Sequence, residues 1–156
     1  MTTPTNAEAN LEALGLSLPK PVAPLASYVP YVQTGSLLFV SGQIARAADG
    51  TDIVGQLGTS VSLELGQEAA KLCALNLLAQ VKAATGSLDR VTRVVKLTGF
   101  VNASADFTQH PAVINAASEL MQEVFGDRGQ HARAAVGSVS LPFNVAVEID
   151  GIFEVD

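Results

Sequence analysis

Apolar residues recur along the chain with two periods, and each change of period marks a new element. Two β-rich runs, Tyr28 to Gln33 and Leu37 to Ile44, flank Thr34-Gly35-Ser36, which is a hairpin signature. Residues 47–60 are polar and glycine-rich and read as a loop. Between Leu63 and Ala84 the spacing turns helical: Ala70, Cys73, Ala74, Leu77, Leu78 and Val81 share one stripe, with Ser62 positioned to cap the start and Gly86 the end. A strand follows over Val91 to Asn102. A second helix opens at Asp106 or Thr108, carries Pro111 in its first turn and buries Ile114, Ala117, Met121, Val124 and Phe125 before Gly126 stops it. Residues 131–155 then read as two apolar strands joined at Leu141-Pro142-Phe143-Asn144.

The order β-β-α-β-α-β-β predicts an α+β domain of two layers, one mixed sheet with two helices on one face. No third long helix is available for the other face, and self-association is the economical way to cover it. Residues 1–26, rich in Thr, Pro and Ala, read as an N-terminal arm with a short helix over 9–16, and residues 27–156 as a single domain. Pro19, Pro21 and Pro24 hold the end of the arm extended.

Composition narrows the function. Apolar residues make up 48 % of the chain but aromatic ones only 5 %, so the core is built from Ala, Val and Leu, which lets layers approach closely. The net charge of −6 and the scatter of nine Lys and Arg argue against a phosphate-neutralising surface, and Arg90, Arg93 and Lys96 read as a solvated edge. Nucleic acid is therefore disfavoured as a partner. The single Cys73 has no disulfide mate, no secretory leader pattern opens the chain, and no apolar run reaches the ~20 residues of a membrane span, so the cytoplasm is the default. His110 and His131 lie too far apart for a metal-ligand motif, and neither a nucleophile elbow nor a phosphate loop is present. No metal site is expected.

Two charges in the apolar C-terminal strands stand out. Period two puts Arg133 on one face with Ala135, Gly137 and Val139, small side chains that leave room for a small ligand. Glu148 shares a face with Ala146, Asp150 and Ile152, opposite Val147, Ile149 and Phe153. A structural or solvated role and a ligand-binding role both fit this spacing.

Three segments carry a resemblance: LLFVSGQIA at 37–45, VINAASELMQEVFG at 113–126 and ARAAVGSVSLPFNVAVEIDGIFEV at 132–155. Together they resemble the RidA (YjgF/YER057c/UK114) family, also called L-PSP endoribonuclease-like, from Tyr28 to the C-terminus. The resemblance implies a trimeric chorismate-mutase-like fold with ligand clefts between neighbouring subunits. The implied activity is hydrolysis of reactive enamines and 2-imino acids to 2-oxo acids and ammonia, without cofactor or metal. A noncatalytic trimer that binds small carboxylates is the alternative, and a ribonuclease, after the older family name, is a third. In this frame Arg133 grips the substrate carboxylate and Glu148 positions or activates water. Tyr28, Ser41 with Gly42, and Asn115 complete the cleft through ring packing, backbone contacts and hydrogen bonds. Ala135 stands where many members carry Cys, so only a backbone contact survives there. With its longer arm and its GDRGQH link at 126–131, the chain resembles a divergent branch.

Overall fold

The computed structural model describes residues 6–24 and 26–156. Its helices are α1 (Ala7–Ala13), α2 (Leu63–Thr85) and α3 (His110–Phe125), and its strands are β1 (Tyr31–Thr34), β2 (Leu37–Ile44), β3 (Val91–Asn102), β4 (Ala132–Ser138) and β5 (Val147–Val155). Short 3-10 turns lie at Leu88–Arg90, Gly126–Gly129 and Pro142–Asn144. The five strands form one mixed sheet in the order β1-β2-β5-β3-β4, in which only β3 and β4 are parallel. This is the α+β fold that the sequence pattern predicts.

The ends of α2 are set by the residues the sequence offers for them. Ser62 Oγ accepts from Leu65 N at 3.1 Å, and Gly86, at φ 85°, takes the left-handed cap while its N–H donates to Lys82 O. Between these caps Ala70, Cys73, Ala74, Leu77, Leu78 and Val81 are fully buried against the sheet. Each fully buried Leu contributes roughly 1.5–3 kcal/mol to stability. Helix α3 lies beside α2 and starts at His110 rather than at Asp106 or Thr108. The intervening chain is held in a turn by Phe107 N donating to Ser104 O, and Ala103 bridges to Leu57, so residues 103–107 are committed before the helix begins.

In β5, at the centre of the sheet, burial alternates strictly. Val147, Ile149, Gly151, Phe153 and Val155 of β5 face the helices and are buried, while Glu148, Asp150, Ile152 and Glu154 face the other way. Leu97, Gly99 and Val101 of β3 continue the covered face, and Gly99 lets α3 sit close: a Cβ there would lie 2.5 Å from Ile114 Cδ1. The uncovered face carries Phe39 and Val136, both about two-fifths exposed (41 % and 44 %), beside Phe100 and Ile152.

Two further boundaries differ from the sequence reading. Strand β1 starts at Tyr31, not Tyr28, because residues 28–30 form a bend. Tyr28 N donates to Ala26 O, Pro30 has no N–H to give to a ladder, and Ser41 holds the bend through its N–H to Pro30 O and its Oγ to Val29 O at 2.7 Å. In the arm, α1 begins at Ala7 and places Ala7 and Leu11 in the common core, with Asn10 Nδ2 donating to Val124 O of α3. Among the described residues no helix is long and apolar enough to cross a membrane.

Replacing Gly99 with Ala should lower stability by about 1–3 kcal/mol in a denaturant melt, because Ile114 is packed on every side and cannot yield freely. Cys73 is fully buried, donates its S–H to Val147 O at 3.3 Å, and has its thiol pushed up by burial and then by Glu148. A thiol reagent should therefore label the protein no faster than it unfolds, and faster labelling would mean the thiol is open to solvent.

Candidate functional site

Arg133 and Glu148 do not form a pair. Arg133 stands opposite Leu97 on β3 and shares its covered face, whereas Glu148 stands opposite Phe100 and Ile44 on the uncovered face. Because β3 lies between β4 and β5, the two backbones are two ladder spacings apart, roughly 9–10 Å, before any offset along the strands. Among the described residues the ion pairs are Arg46–Asp52, Lys82–Glu8 and Arg90–Asp156. The expected site residues fall accordingly into two groups.

The first group is built by β4 and α3. Arg133 Nη1 donates to Asn115 Oδ1 at 2.8 Å and to Ser118 Oγ at 3.1 Å. Both N–H groups of Nη1 are thereby used, and the Nε–Nη2 edge keeps the paired N–H groups that match a planar acid. Ala135 is two residues along on the same face, half-buried against the core, and Gly137 follows beneath the His110 ring, where any Cβ would collide with Nε2. The small side chains that the sequence pattern aligned with Arg133 do share its face.

The second group lines a cleft of about 130 Å³ that includes Tyr28, Ser41, Gly42, Gln43, Ile44, Arg46 and Glu148. Gly42 sits in a bulge of β2 between Val40 and Gln43, and a Cβ there would come within 3.0 Å of Glu148 Oε2, so glycine leaves the carboxylate its space. Ser41 spends its hydroxyl on Val29 O, which fixes the bend carrying Tyr28. The cleft's guanidinium, Arg46, is held by Asp52 through two bonds of 2.7 and 2.9 Å. Among the described residues the Glu148 carboxylate takes part in no hydrogen bond or ion pair. Burial pushes its carboxyl above the usual range, and neighbouring Asp150 pushes it further the same way. Such a group is a better proton acceptor than an ordinary surface carboxylate.

Three contributors were not legible as such. Phe143 and Asn144 both have φ 58°, and Phe143 is 62 % exposed at the cleft rim. A bulky residue in the left-handed region is unusual enough to mark a functional loop, but the sequence shows only a turn there. Ser118 reads as one more position on a helix. His131 looks isolated until its ring is found 2.9 Å from Ser118 Oγ. Among the described residues no group of three or more His, Cys, Asp or Glu could hold a metal ion.

Comparison with known proteins places the fold in a family. Residues 8–153 fit the family described as "YjgF/chorismate mutase-like, putative endoribonuclease", and the chain belongs to that YjgF/RidA family. It is 50 % identical to protein TCP17 of Trypanosoma cruzi over 95 % of this chain and 93 % of the relative. The crystal structure of Atu1372 from Agrobacterium tumefaciens superposes with a TM-score of 0.88 at 48 % identity, covering 96 % of this chain and 94 % of that one. More distant relatives are a 2-iminobutanoate/2-iminopropanoate deaminase of Dermatophagoides farinae (28 % identical; 90 % of this chain, 95 % of the relative) and E. coli TdcF with bound serine (26 % identical; TM-score 0.62; 89 % and 94 % covered).

The Glu148–Asp150 arrangement predicts a pH response. Both carboxyls are harder to ionise in the folded chain than in the unfolded one, Asp150 through burial that Thr98 and Lys96 only partly offset. Their contribution to stability is therefore fullest below the unfolded pKa values, about pH 4, and is lost as pH rises through the higher folded values. Asp150→Asn should raise the melting temperature at pH 7 and lower the Glu148 pKa seen by carboxyl NMR. The difference in melting temperature should close below about pH 4.

Proposed function

We propose that the protein hydrolyses small 2-imino acids, or the enamines in equilibrium with them, to 2-oxo acids and ammonia. The reaction takes place in clefts where one subunit of a homotrimer supplies Arg133 and the next supplies Glu148. The observation that carries this reading is the separation of the two charges onto opposite faces of one sheet, each with its binding valence unspent. A small 2-imino acid cannot reach both from within one protomer. The uncovered sheet face with Phe39, Phe100, Val136 and Ile152 supports a second copy as the missing wall. The name of the mite relative, a 2-iminobutanoate/2-iminopropanoate deaminase, and the serine bound by E. coli TdcF support a small amino-acid-like carboxylate as ligand.

In this reading the substrate carboxylate takes the Nε–Nη2 edge of Arg133, which fixes the adjacent C=N carbon. Glu148 accepts a proton from water as the water oxygen bonds to that carbon. The C=N bond becomes a C–N single bond, and its electron pair goes to nitrogen. Glu148 returns that proton to nitrogen, then takes the hydroxyl proton as C=O forms and passes it to the same nitrogen, so that the C–N bond breaks with ammonia as the leaving group. Every proton stays within the cleft, so no cofactor is called for. The lone, buried thiol favours the cytoplasm as the compartment.

A noncatalytic carboxylate-binding trimer would need Arg133 but not the partnerless Glu148. A ribonuclease would need free basic residues, and here Arg90 is engaged with Asp156 and Arg93 with Gln130 O. Both readings are weaker on those grounds.

Arg133→Ala should weaken 2-oxobutanoate binding by about 10–100-fold, the worth of a charge-assisted contact. Glu148→Gln should leave that binding within about 3-fold and slow imine decay by about 10²–10⁴. Arg133→Ala should melt close to wild type, since it holds no buried partner charge, and Glu148→Gln should melt no lower than wild type at pH 7, since its carboxyl is harder to ionise in the folded chain. Equal stability losses of about 3–5 kcal/mol with unchanged turnover would instead mark a structural pair. Light scattering should give a trimer with contacts of more than ~1,200 Å² per pair, and a monomer at micromolar concentration would remove the shared cleft.

A further inference from the structure

We propose that Ser118 and His131 are positioning residues for Arg133, forming with the Gly129 carbonyl a one-directional hydrogen-bond chain that fixes which edge of the guanidinium faces a carboxylate. This rests on the reading that Arg133 binds a carboxylate, and it names residues that neither the motifs nor the resemblance supply.

The proton order follows from the contacts. His131 Nδ1 lies 2.6 Å from Gly129 O, and a carbonyl oxygen can only accept, so Nδ1 carries the proton. A neutral imidazole has no second proton, which makes Nε2 the acceptor 2.9 Å from Ser118 Oγ. The single Ser118 hydroxyl proton therefore goes to His131, and its lone pairs are left to accept from Arg133 Nη1 at 3.1 Å. Asn115 Oδ1 takes the other Nη1 proton at 2.8 Å. With Nη1 held at two points the guanidinium plane cannot rotate freely, and the Nε–Nη2 fork is aimed without loss of its own donors.

The surroundings hold this chain in one state. Ser118 is buried at 8 % exposure on α3, and burial together with the neighbouring Arg133 charge disfavours a second proton on His131. The carbonyl end is fixed as well. Gly129 sits so close to α3 that a Cβ would run into the Met121 backbone, which locks the 126–129 turn, and its acceptor, onto the helix that carries Ser118 and Asn115. The GDRGQH link at 126–131 thus acquires a purpose: Gly129 and His131 are its working residues.

The test uses the full chain. Nitrogen NMR at pH 7.5 should find His131 in the Nδ1–H tautomer, with its Nε2 signal shifted in Ser118→Ala; an Nε2–H tautomer in wild type overturns the chain whether or not any ligand binds. With 2-oxobutanoate as the probe, Ser118→Ala and His131→Phe should each weaken binding roughly 5–20-fold. KM for the imine should rise in step, with kcat reduced less than about 2-fold. Ser118→Thr, which keeps the hydroxyl, should recover most of the affinity. Binding lost in Arg133→Ala but intact in both Ser118→Ala and His131→Phe overturns the positioning role alone. Wild-type protein that binds no 2-oxobutanoate overturns the functional reading, and the positioning role falls with it.

Discussion

The structure depends on the alternation of strand β5, which lies in the middle of the sheet with a neighbour on each side. Val147, Ile149, Gly151 and Phe153 are committed to the core under α2, so the residues between them have no choice of face. A slip of one residue would send Phe153 to solvent and Glu148 beneath a helix, where an unpaired carboxylate costs several kcal/mol. The hydrophobic register therefore places Glu148 on the uncovered face as firmly as it builds the core. The same rule acts on β4 through its parallel ladder with β3, where Leu97 fixes Arg133 on the covered face. Opposite charges in neighbouring segments thus end on opposite sides of the sheet, which is the ground for proposing a site shared between subunits.

Much of this layout could be read along the chain. The caps of α2, the bounds of β2 and β3, and the small side chains on the face of Arg133 all follow from short-range chemistry that a linear pattern records. The bend at Tyr28 did not, because its cause is Ser41, thirteen residues away and on another strand. The late start of α3 was hidden for a similar reason, since Leu57 captures Ala103 and delays the helix. Period two gave the companions that lie within the strands, Ala135 and Gly137 for Arg133 and Asp150 and Ile152 for Glu148, but Val139 and Ala146 fall beyond the strand ends, and Ala146 is buried. The period could not relate the face of β4 to the face of β5, which depends on β3 lying between them.

The two halves of the site are stiffened by different means. Around Arg133 the stiffness comes from side-chain hydrogen bonds, each donor matched to one acceptor, on a helix and strand that are well buried. Around Glu148 it comes from backbone shape: a bulge at Gly42 and the left-handed pair Phe143 and Asn144. A non-glycine residue in that region costs about 1–2 kcal/mol. Asn144 is held there through three of its own atoms, and the carbonyl after it through a fourth contact. Its N–H donates to Leu141 O, its carbonyl accepts from Gly55 N, and its Oδ1 and the next carbonyl share the Asn102 amide at 3.2 Å. That is enough to over-determine the loop and leave Phe143 projecting at the rim.

This difference suits the two tasks. A carboxylate grip works best as a rigid, pre-aimed fork, because every degree of freedom left in the guanidinium must be frozen when the ligand arrives. A water-directing carboxylate needs the opposite: an oxygen without a fixed partner, so that it can take a proton and give it back. Hydrogen bonds from the protein to Glu148 would hold its carboxyl low and weaken it as a base. Leaving it partnerless beside Asp150, in a partly dry cleft, does the reverse. In the proposed trimer, further burial by a neighbouring subunit would act in the same direction, so the assembly proposed to bring Arg133 within reach of the substrate would also make Glu148 a stronger base.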